Sequence, residues 1–161
     1  MKRVLLSFSM VLVMLAGLVG TASAAKPISS SGDFAAKIDF ATLSLTPVGA
    51  NCELQVEGVV EFEGTLEGTG NAVTTALVFA SCDEFAGAPI GFYRDVFSSD
   101  IQFEGTLDGN PVTAGIRYHG TVAPGGDINA VMNFSGGLRG SVKVEGTVAE
   151  GGDYSGKIVL K

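Results

Sequence analysis

Strict alternation between Glu53 and Leu66 constrains the fold of this chain more than any other feature of its sequence. Every second residue from Leu54 to Leu66 is apolar or glycine, and three of the six residues between them are glutamate. A period of two is typical of a β-strand with one buried face. The pattern recurs in later segments, which span residues 101–107, 112–122, 128–134, 138–148 and 154–160. The chain therefore predicts an all-β domain.

Two weaker segments bring the expected number of strands to eight. Residues 34–40 alternate and then change phase near Thr42, which indicates a β-bulge, and residues 72–80 form an apolar run. Glycine-rich turns separate the strands, at residues 67–70, 108–111, 123–127, 135–137 and 149–153. Each turn is expected to join neighbouring strands as a hairpin, with Leu107 opposite Val112 in one of them.

Eight sequential antiparallel strands leave two exposed sheet edges unless the sheet closes on itself. Glycines at apolar positions inside strands favour closure, because they mark tight coiling or close backbone approach in a small barrel. These glycines are Gly58, Gly64, Gly105, Gly120, Gly140, Gly146 and Gly156. The sequence predicts an eight-stranded antiparallel up-and-down barrel, with a two-sheet β-sandwich as the alternative.

The first 24 residues have the order of a secretory signal peptide. Lys2 and Arg3 precede an apolar run over residues 4–20, and Ala22-Ser23-Ala24 forms a cleavage site. An uncleaved membrane anchor is the alternative, although a spanning helix needs about 20 apolar residues. We expect residues 1–24 to be removed, residues 25–33 to form a flexible lead-in, and residues 34–161 to form a single β-barrel domain. The mature protein is expected to be secreted or extracytoplasmic, in the cell envelope or periplasm.

Removal of Lys2 and Arg3 leaves a strongly acidic mature chain. Lys plus Arg falls from 10 to 8 against 17 Asp plus Glu, which gives a formal charge of −9. Nucleic acid and anionic lipid surfaces are poor partners for such a chain. Membrane insertion of the mature chain is not expected either, because it has no Trp for an aromatic girdle and carries glycines across its apolar face.

Cys52 and Cys82 are the two cysteines of the chain, and export predicts that they form a disulfide. Strict strand pairing through Leu66 and Val73 would place Cys82 opposite Glu57, so the chain has to leave the ladder for the bond to form. Neither a metal site nor a cofactor is predicted, because a metal site needs more ligands than two cysteines and a single histidine.

Several glycine-rich motifs resemble the allene oxide cyclase barrel-like superfamily, and most of all its uncharacterised bacterial members. They are Gly68 and Gly70 after an F-x-G-x-L strand, the F-x-G-x-L-x-G of Phe103 to Gly109, Tyr118-His119-Gly120, and the turn from Gly136 to Gly140. The resemblance covers residues 56–160, and the signal peptide, the cysteine pair and the lack of Trp depart from it. Membership implies a closed barrel with a central cavity. It also allows an isomerase or cyclase in which His119, Arg117 or Tyr118 acts as an acid, a base or an orienting group.

His119 and Arg117 share the polar face of their strand, so both are expected to point away from the core. The candidate ligand-binding residues are instead apolar and inward-facing, with core packing as the alternative role: Phe62, Phe103, Tyr118, Met132 and Phe134. The irregular stretch 83–95 is expected to cover the barrel end nearest Cys52, with Tyr93 and Arg94 meeting a polar group of the ligand.

These observations favour a secreted, non-catalytic barrel that binds a small apolar ligand. The alternatives are the isomerase or cyclase that the resemblance allows and a structural or adhesive envelope protein.

Overall fold

The computed structural model describes residues 26–161, which form eight strands and one short helix. They are β1 (Ile28–Val48), β2 (Asn51–Gly64), β3 (Leu66–Val78), α1 (Cys82–Ala86), β4 (Asp95–Leu107), β5 (Asn110–Val122), β6 (Asp127–Gly136), β7 (Leu138–Thr147) and β8 (Gly151–Leu160). Each strand pairs antiparallel with the next, and β8 pairs with β1 to close the barrel. The predicted up-and-down barrel is confirmed, and the sandwich alternative is wrong. The predicted signal peptide, residues 1–24, lies outside the described residues.

Closure of the barrel uses residues that the sequence assigned to a flexible lead-in. Ile28 pairs with Ile158, and the ladder between β1 and β8 continues to Ala35, which pairs with Gly151. Residues 28–33 are therefore the beginning of β1 and not a loose segment. The serine run there lacks an apolar pattern, but its backbone forms hydrogen bonds with the backbone of β8, whose edge would otherwise be exposed.

The second half of β1 runs beyond β8 and pairs with β2 alone. A register shift between Asp39 and Ser44 confirms the bulge that the phase change near Thr42 predicts. The Thr42 hydroxyl forms hydrogen bonds where the ladder between β1 and β2 is interrupted. Its Oγ1 donates to the Asp39 carbonyl at 2.7 Å and accepts from the Glu57 amide at 2.8 Å. The Thr42 side chain thus satisfies one carbonyl and one amide at the bulge.

Two hairpin turns lie elsewhere than the glycine pattern indicates. Gly68 and Gly70 belong to β3 and not to a turn, because the chain reverses at Thr65 and Phe62 pairs with Gly68. A Cβ on Gly68 would lie 2.7 Å from the Gly105 Cα, so this glycine permits close approach of β3 and β4.

The β4–β5 turn is shorter than predicted, which shifts the register of that hairpin. Asp108 and Gly109 both have positive φ, 50° and 77°, as a two-residue turn of the primed type requires. Leu107 consequently pairs with Asn110, and Val112 pairs with Gly105. The expected pairing of Leu107 with Val112 is therefore wrong.

The barrel half that contains the β2–β3 and β4–β5 turns is filled by its own side chains. The rings of Phe62 and Phe103 meet edge to face, with centroids 5.5 Å apart, and Tyr154 packs against Phe62 at 6.2 Å. The Leu66 amide donates to the buried Tyr154 hydroxyl at 2.8 Å. Interior space at this end is occupied, as expected for a small barrel with large aromatic residues inside.

The opposite end carries the connection between β3 and β4, residues 79–94, which we call the β3–β4 loop. Its helix α1 begins with a capping box, in which the Glu84 amide donates to Ser81 Oγ and the Ser81 amide donates to Glu84 Oε2. The Ser81 hydroxyl also donates to Glu84 Oε2, at 2.7 Å, and the hydrogen bonds from the Ser81 hydroxyl and amide lower the pKa of Glu84. The predicted disulfide joins Cys82, the first residue of α1, to Cys52 of β2, with 4.8 Å between their Cα atoms. The register allows it because Cys52 pairs with Val78, four residues before Cys82.

No helix in the described part of the chain is long and apolar enough to cross a membrane.

Candidate functional site

A cavity of about 160 Å³ lies inside the barrel beneath the β3–β4 loop. Its walls include small inward-facing residues of neighbouring strands, among them Ala36, Gly58, Ala72 and Ala76. Larger apolar side chains complete the lining, including Phe34, Val56, Val60, Phe97, Val122 and Ile128. Space remains in this half because these inward positions carry small side chains, with Gly58 and Ala72 paired across β2 and β3.

The β3–β4 loop covers the cavity. Phe85, Ile90 and Gly91 of the loop line it. The Gly125 amide, in the β5–β6 turn, donates to the Gly91 carbonyl at 2.9 Å. A Cβ on Gly91 would lie 2.7 Å from the Gly126 Cα, so the two backbones are in close contact. The loop therefore reaches from its disulfide anchor across the barrel end to the β5–β6 turn.

The mouth of the cavity is rimmed by exposed apolar side chains. Phe40 and Leu43 of the β1 bulge are 54% and 37% exposed, and Ile90 of the loop is 53% exposed, yet all three line the cavity. Large apolar residues exposed together around a concave opening are typical of a binding site. The opening thus lies between the bulge and the β3–β4 loop.

A row of hydroxyl groups lies in the cavity wall across three adjacent strands. Thr74, Ser99 and Tyr118 are register neighbours on β3, β4 and β5, and all three line the cavity. The Thr74 and Ser99 hydroxyls share a hydrogen bond of 2.6 Å. The Tyr118 hydroxyl is buried and has no hydrogen-bond partner within residues 26–161. Burial raises the pKa of Tyr118, so its phenol stays protonated and free to donate to a ligand.

Asp95 is the acidic group of this interior. It is the first residue of β4, shares the inward face with Phe97 and Ser99, and lines the cavity. Its Oδ1 is buried and, among the described residues, has no hydrogen-bond partner. Burial raises the pKa of Asp95 to about 7. Lys37 also lines the cavity, but its ammonium is bonded to Glu61 on the outer wall. The Asp95 carboxylate is therefore uncompensated.

Ionisation of Asp95 is expected to destabilise the fold as the pH rises. Its pKa increases from 3.8 to about 7 on folding, so the penalty is absent below pH 3.8, grows between these values and is complete above pH 7. Solvent screening at this partly exposed site limits the penalty to about 2 kcal/mol. Asp95→Asn should thus gain stability over the wild type between about pH 4 and pH 7. Urea unfolding followed by circular dichroism at several pH values measures the difference, and a gain independent of pH would contradict it.

The candidate ligand-binding residues divide between three regions. Tyr118 lines the cavity, whereas the other inward-facing candidates lie in the main hydrophobic core, namely Phe62, Phe103, Met132 and Phe134. Tyr93 packs against a smaller cluster around Cys52 and Val78. The Arg94 guanidinium lies 5.4 Å from the centroid of the Phe79 ring, which is exposed. Neither Tyr93 nor Arg94 is part of the cavity lining.

The three candidate acid/base residues do not meet. Tyr118 points into the barrel, and His119 and Arg117 are exposed on its outer face. Consecutive residues of a strand project to opposite faces, so this separation follows from their adjacency.

Sequence reasoning missed Asp95, Ser99 and Thr74 as cavity residues. The signal for the first two was present, because Asp95, Phe97 and Ser99 continue the inward face of Ile101 toward the loop. Thr74 lies in an apolar run without alternation, where no face is marked.

Within residues 26–161, no group of three or more His, Cys, Asp or Glu side chains is placed to hold a metal ion.

No family model, curated protein or solved structure matches this chain. The resemblance to the allene oxide cyclase barrel-like superfamily stays a prediction. The function is consequently argued from the cavity and its chemistry.

Proposed function

We propose that this protein is a secreted or extracytoplasmic, non-catalytic binding protein that holds one compact, mainly apolar molecule in its barrel. The observation that carries the proposal is the apolar cavity under the β3–β4 loop, with a rim of exposed apolar side chains at Phe40, Leu43 and Ile90. Binding is favoured over isomerisation or cyclisation because Tyr118 alone among the three acid/base candidates lines that cavity.

The size of the cavity limits the ligand. An apolar protein cavity of about 150 Å³ accommodates benzene, and this one has a volume of about 160 Å³. A molecule of roughly six to ten non-hydrogen atoms fits such a volume. Longer lipids would extend through the mouth into solvent.

The cover of the cavity suits reversible entry. The β3–β4 loop is fixed at one end by the Cys52–Cys82 disulfide and by the Phe79 amide, which donates to the Arg94 carbonyl at 3.0 Å. Ile90, near its tip, remains half exposed. The hydrogen bond from the Gly125 amide to the Gly91 carbonyl holds this tip, so the cover can move aside without unfolding the barrel once that bond breaks.

An exported location supports the same proposal. A disulfide persists in oxidising compartments, and the sequence begins with the features of a signal peptide. The net negative charge keeps the protein in solution and away from anionic surfaces.

Toluene titration, followed by ¹⁵N–¹H NMR, tests the proposal with a pair of variants. Ala76→Leu places a larger side chain in the cavity, and Thr75→Leu places the same side chain on the exposed face of the same strand. We expect saturable shifts at Phe97, Tyr118 and other lining residues of the wild type. Ala76→Leu should weaken toluene binding at least about tenfold, the effect of losing about 1.4 kcal/mol of apolar contact.

Thr75→Leu is expected to bind toluene as the wild type does. Circular dichroism of both variants checks that each is folded. Shifts confined to exposed residues, or equal binding by Ala76→Leu and Thr75→Leu, would contradict the proposed site.

A further inference from the structure

The cavity contains a negative group without a positive partner. Asp95 Oδ1 is buried, and no donor within the part of the chain that the structure describes reaches it. A carboxylate in apolar surroundings is costly unless a hydrogen-bond donor or a cation meets it. The group that would fit beside Asp95 Oδ1 is therefore a hydrogen-bond donor or a cation.

The elements around Asp95 offer no cation of their own. Its register neighbours are Val78 on β3 and Val122 on β5. The ionisable side chains that line the cavity besides Asp95 are Lys37 and Glu57, both exposed, and Tyr118, which is neutral. Next to Asp95 in the chain, Arg94 is exposed and lies over the ring of Phe79 instead.

Aromatic rings lie deeper in the cavity on the same face. Phe97 is two residues from Asp95, about 7 Å along the strand. Its ring meets that of Tyr118 edge to face, with centroids 4.8 Å apart. An apolar or aromatic body that extends inward from Asp95 would pack on these rings, which also favour a nearby cation.

We propose that the ligand of this cavity is a compact apolar molecule with one protonated amine, and that Asp95 binds the ammonium group. This inference rests on the proposed binding function and specifies its ligand class. The ammonium donates to Asp95 Oδ1, and the apolar body lies against Phe97. Tyr118 lies deeper in the cavity on β5, where it pairs with Ser99, which is four residues of strand, about 13 Å, along β4 from Asp95.

Three probes of nearly equal size separate the contribution of charge from that of apolar contact: benzylamine, benzyl alcohol and toluene. Their dissociation constants are measured by NMR titration of the wild type, Asp95→Asn and Glu57→Gln. Glu57 is the other carboxylate of the lining and is exposed, so its variant controls for general loss of negative charge.

Benzylamine is expected to bind the wild type at least about tenfold more tightly than benzyl alcohol at about pH 8, as a charge-assisted hydrogen bond predicts. Asp95→Asn should remove this preference because its neutral amide carries no charge to attract the ammonium, whereas Glu57→Gln should keep it. At about pH 5 the preference of the wild type should also fall, because Asp95 is then protonated while the amine stays charged.

Equal affinity of the wild type for benzylamine and benzyl alcohol at the higher pH would overturn the amine proposal. Retention of the preference by Asp95→Asn would do the same. In both cases, binding of toluene in the cavity would leave the proposed function standing. If none of the three probes enters the cavity of the folded wild type, both proposals are wrong.

Discussion

Replacing Gly151 by alanine is expected to lower the free energy of unfolding by at least about 3 kcal/mol, a loss of the size seen when a side chain is forced into packed structure. Gly151 pairs with Ala35 at the point where β8 closes the barrel against β1. A Cβ there would lie 2.0 Å from the Phe34 carbonyl oxygen, and the φ of Gly151 is 135°. Backbone atoms cannot rotate away as a side chain does, so the two strands would have to separate.

Gly125→Ala is the matched control. Gly125 also has a positive φ, 105°, but a Cβ on it would meet nothing within 4 Å. It therefore carries the conformational cost of alanine without the clash, about 1 kcal/mol. Urea unfolding followed by circular dichroism compares the variants, and similar losses for both would show that close strand approach at Gly151 does not hold the barrel closed.

Most of the barrel could be predicted from the sequence because alternation and strand geometry share a period of two. The inward face of residues 54–62 follows directly from it, and so does the outward position of His119. The alternation of β1 is weaker, yet its change of phase indicated the bulge at Thr42. Where one face is buried, pattern and structure agree because a shift of one residue would expose the whole apolar face.

Glycine is the main reason why the sequence pattern predicts some turns and strand registers at the wrong residues. Glu67-Gly68-Thr69-Gly70 has the composition of a turn, but Gly68 lies inside β3 because it faces Gly105 across the sheet. Both roles require the absence of a Cβ, so composition alone does not distinguish them. The strand partners that decide between them come from tertiary structure.

The cavity could be predicted only in part. The aromatic residues Phe62 and Phe103 were natural candidates for a ligand site, but large side chains fill the space around them and form the core. Space is left instead where Gly58 pairs with Ala72 and Ala76 follows on the same inward face, and that placement depends on the register of β2 and β3. A cavity is the volume that side chains leave empty, so no single residue type marks it.

Removal of the Cys52–Cys82 disulfide is also expected to lower the free energy of unfolding by a large amount. Cys52 and Cys82 are 30 residues apart, and closing a loop of that size contributes about 3 to 4 kcal/mol by restricting the unfolded chain. Cys52 is also fully buried in the cluster with Val78 and Ala80. The double variant Cys52→Ala with Cys82→Ala should lose that amount together with some packing. Urea unfolding measures the total, and reduction of the wild type isolates the cross-link, because both sulfur atoms then remain.

The structural effect is expected to be greatest at the cover of the cavity. Cys82 begins α1, and Phe85 on the same helix lines the cavity, so the bond fixes the part of the β3–β4 loop that bears on a ligand. Amide hydrogen exchange should therefore accelerate over residues 79–94 in the reduced protein more than in β6 to β8, because α1 packs mainly against β1 and β2. Uniform acceleration across the barrel would mean that the disulfide stabilises the fold as a whole and does not specifically anchor its cover.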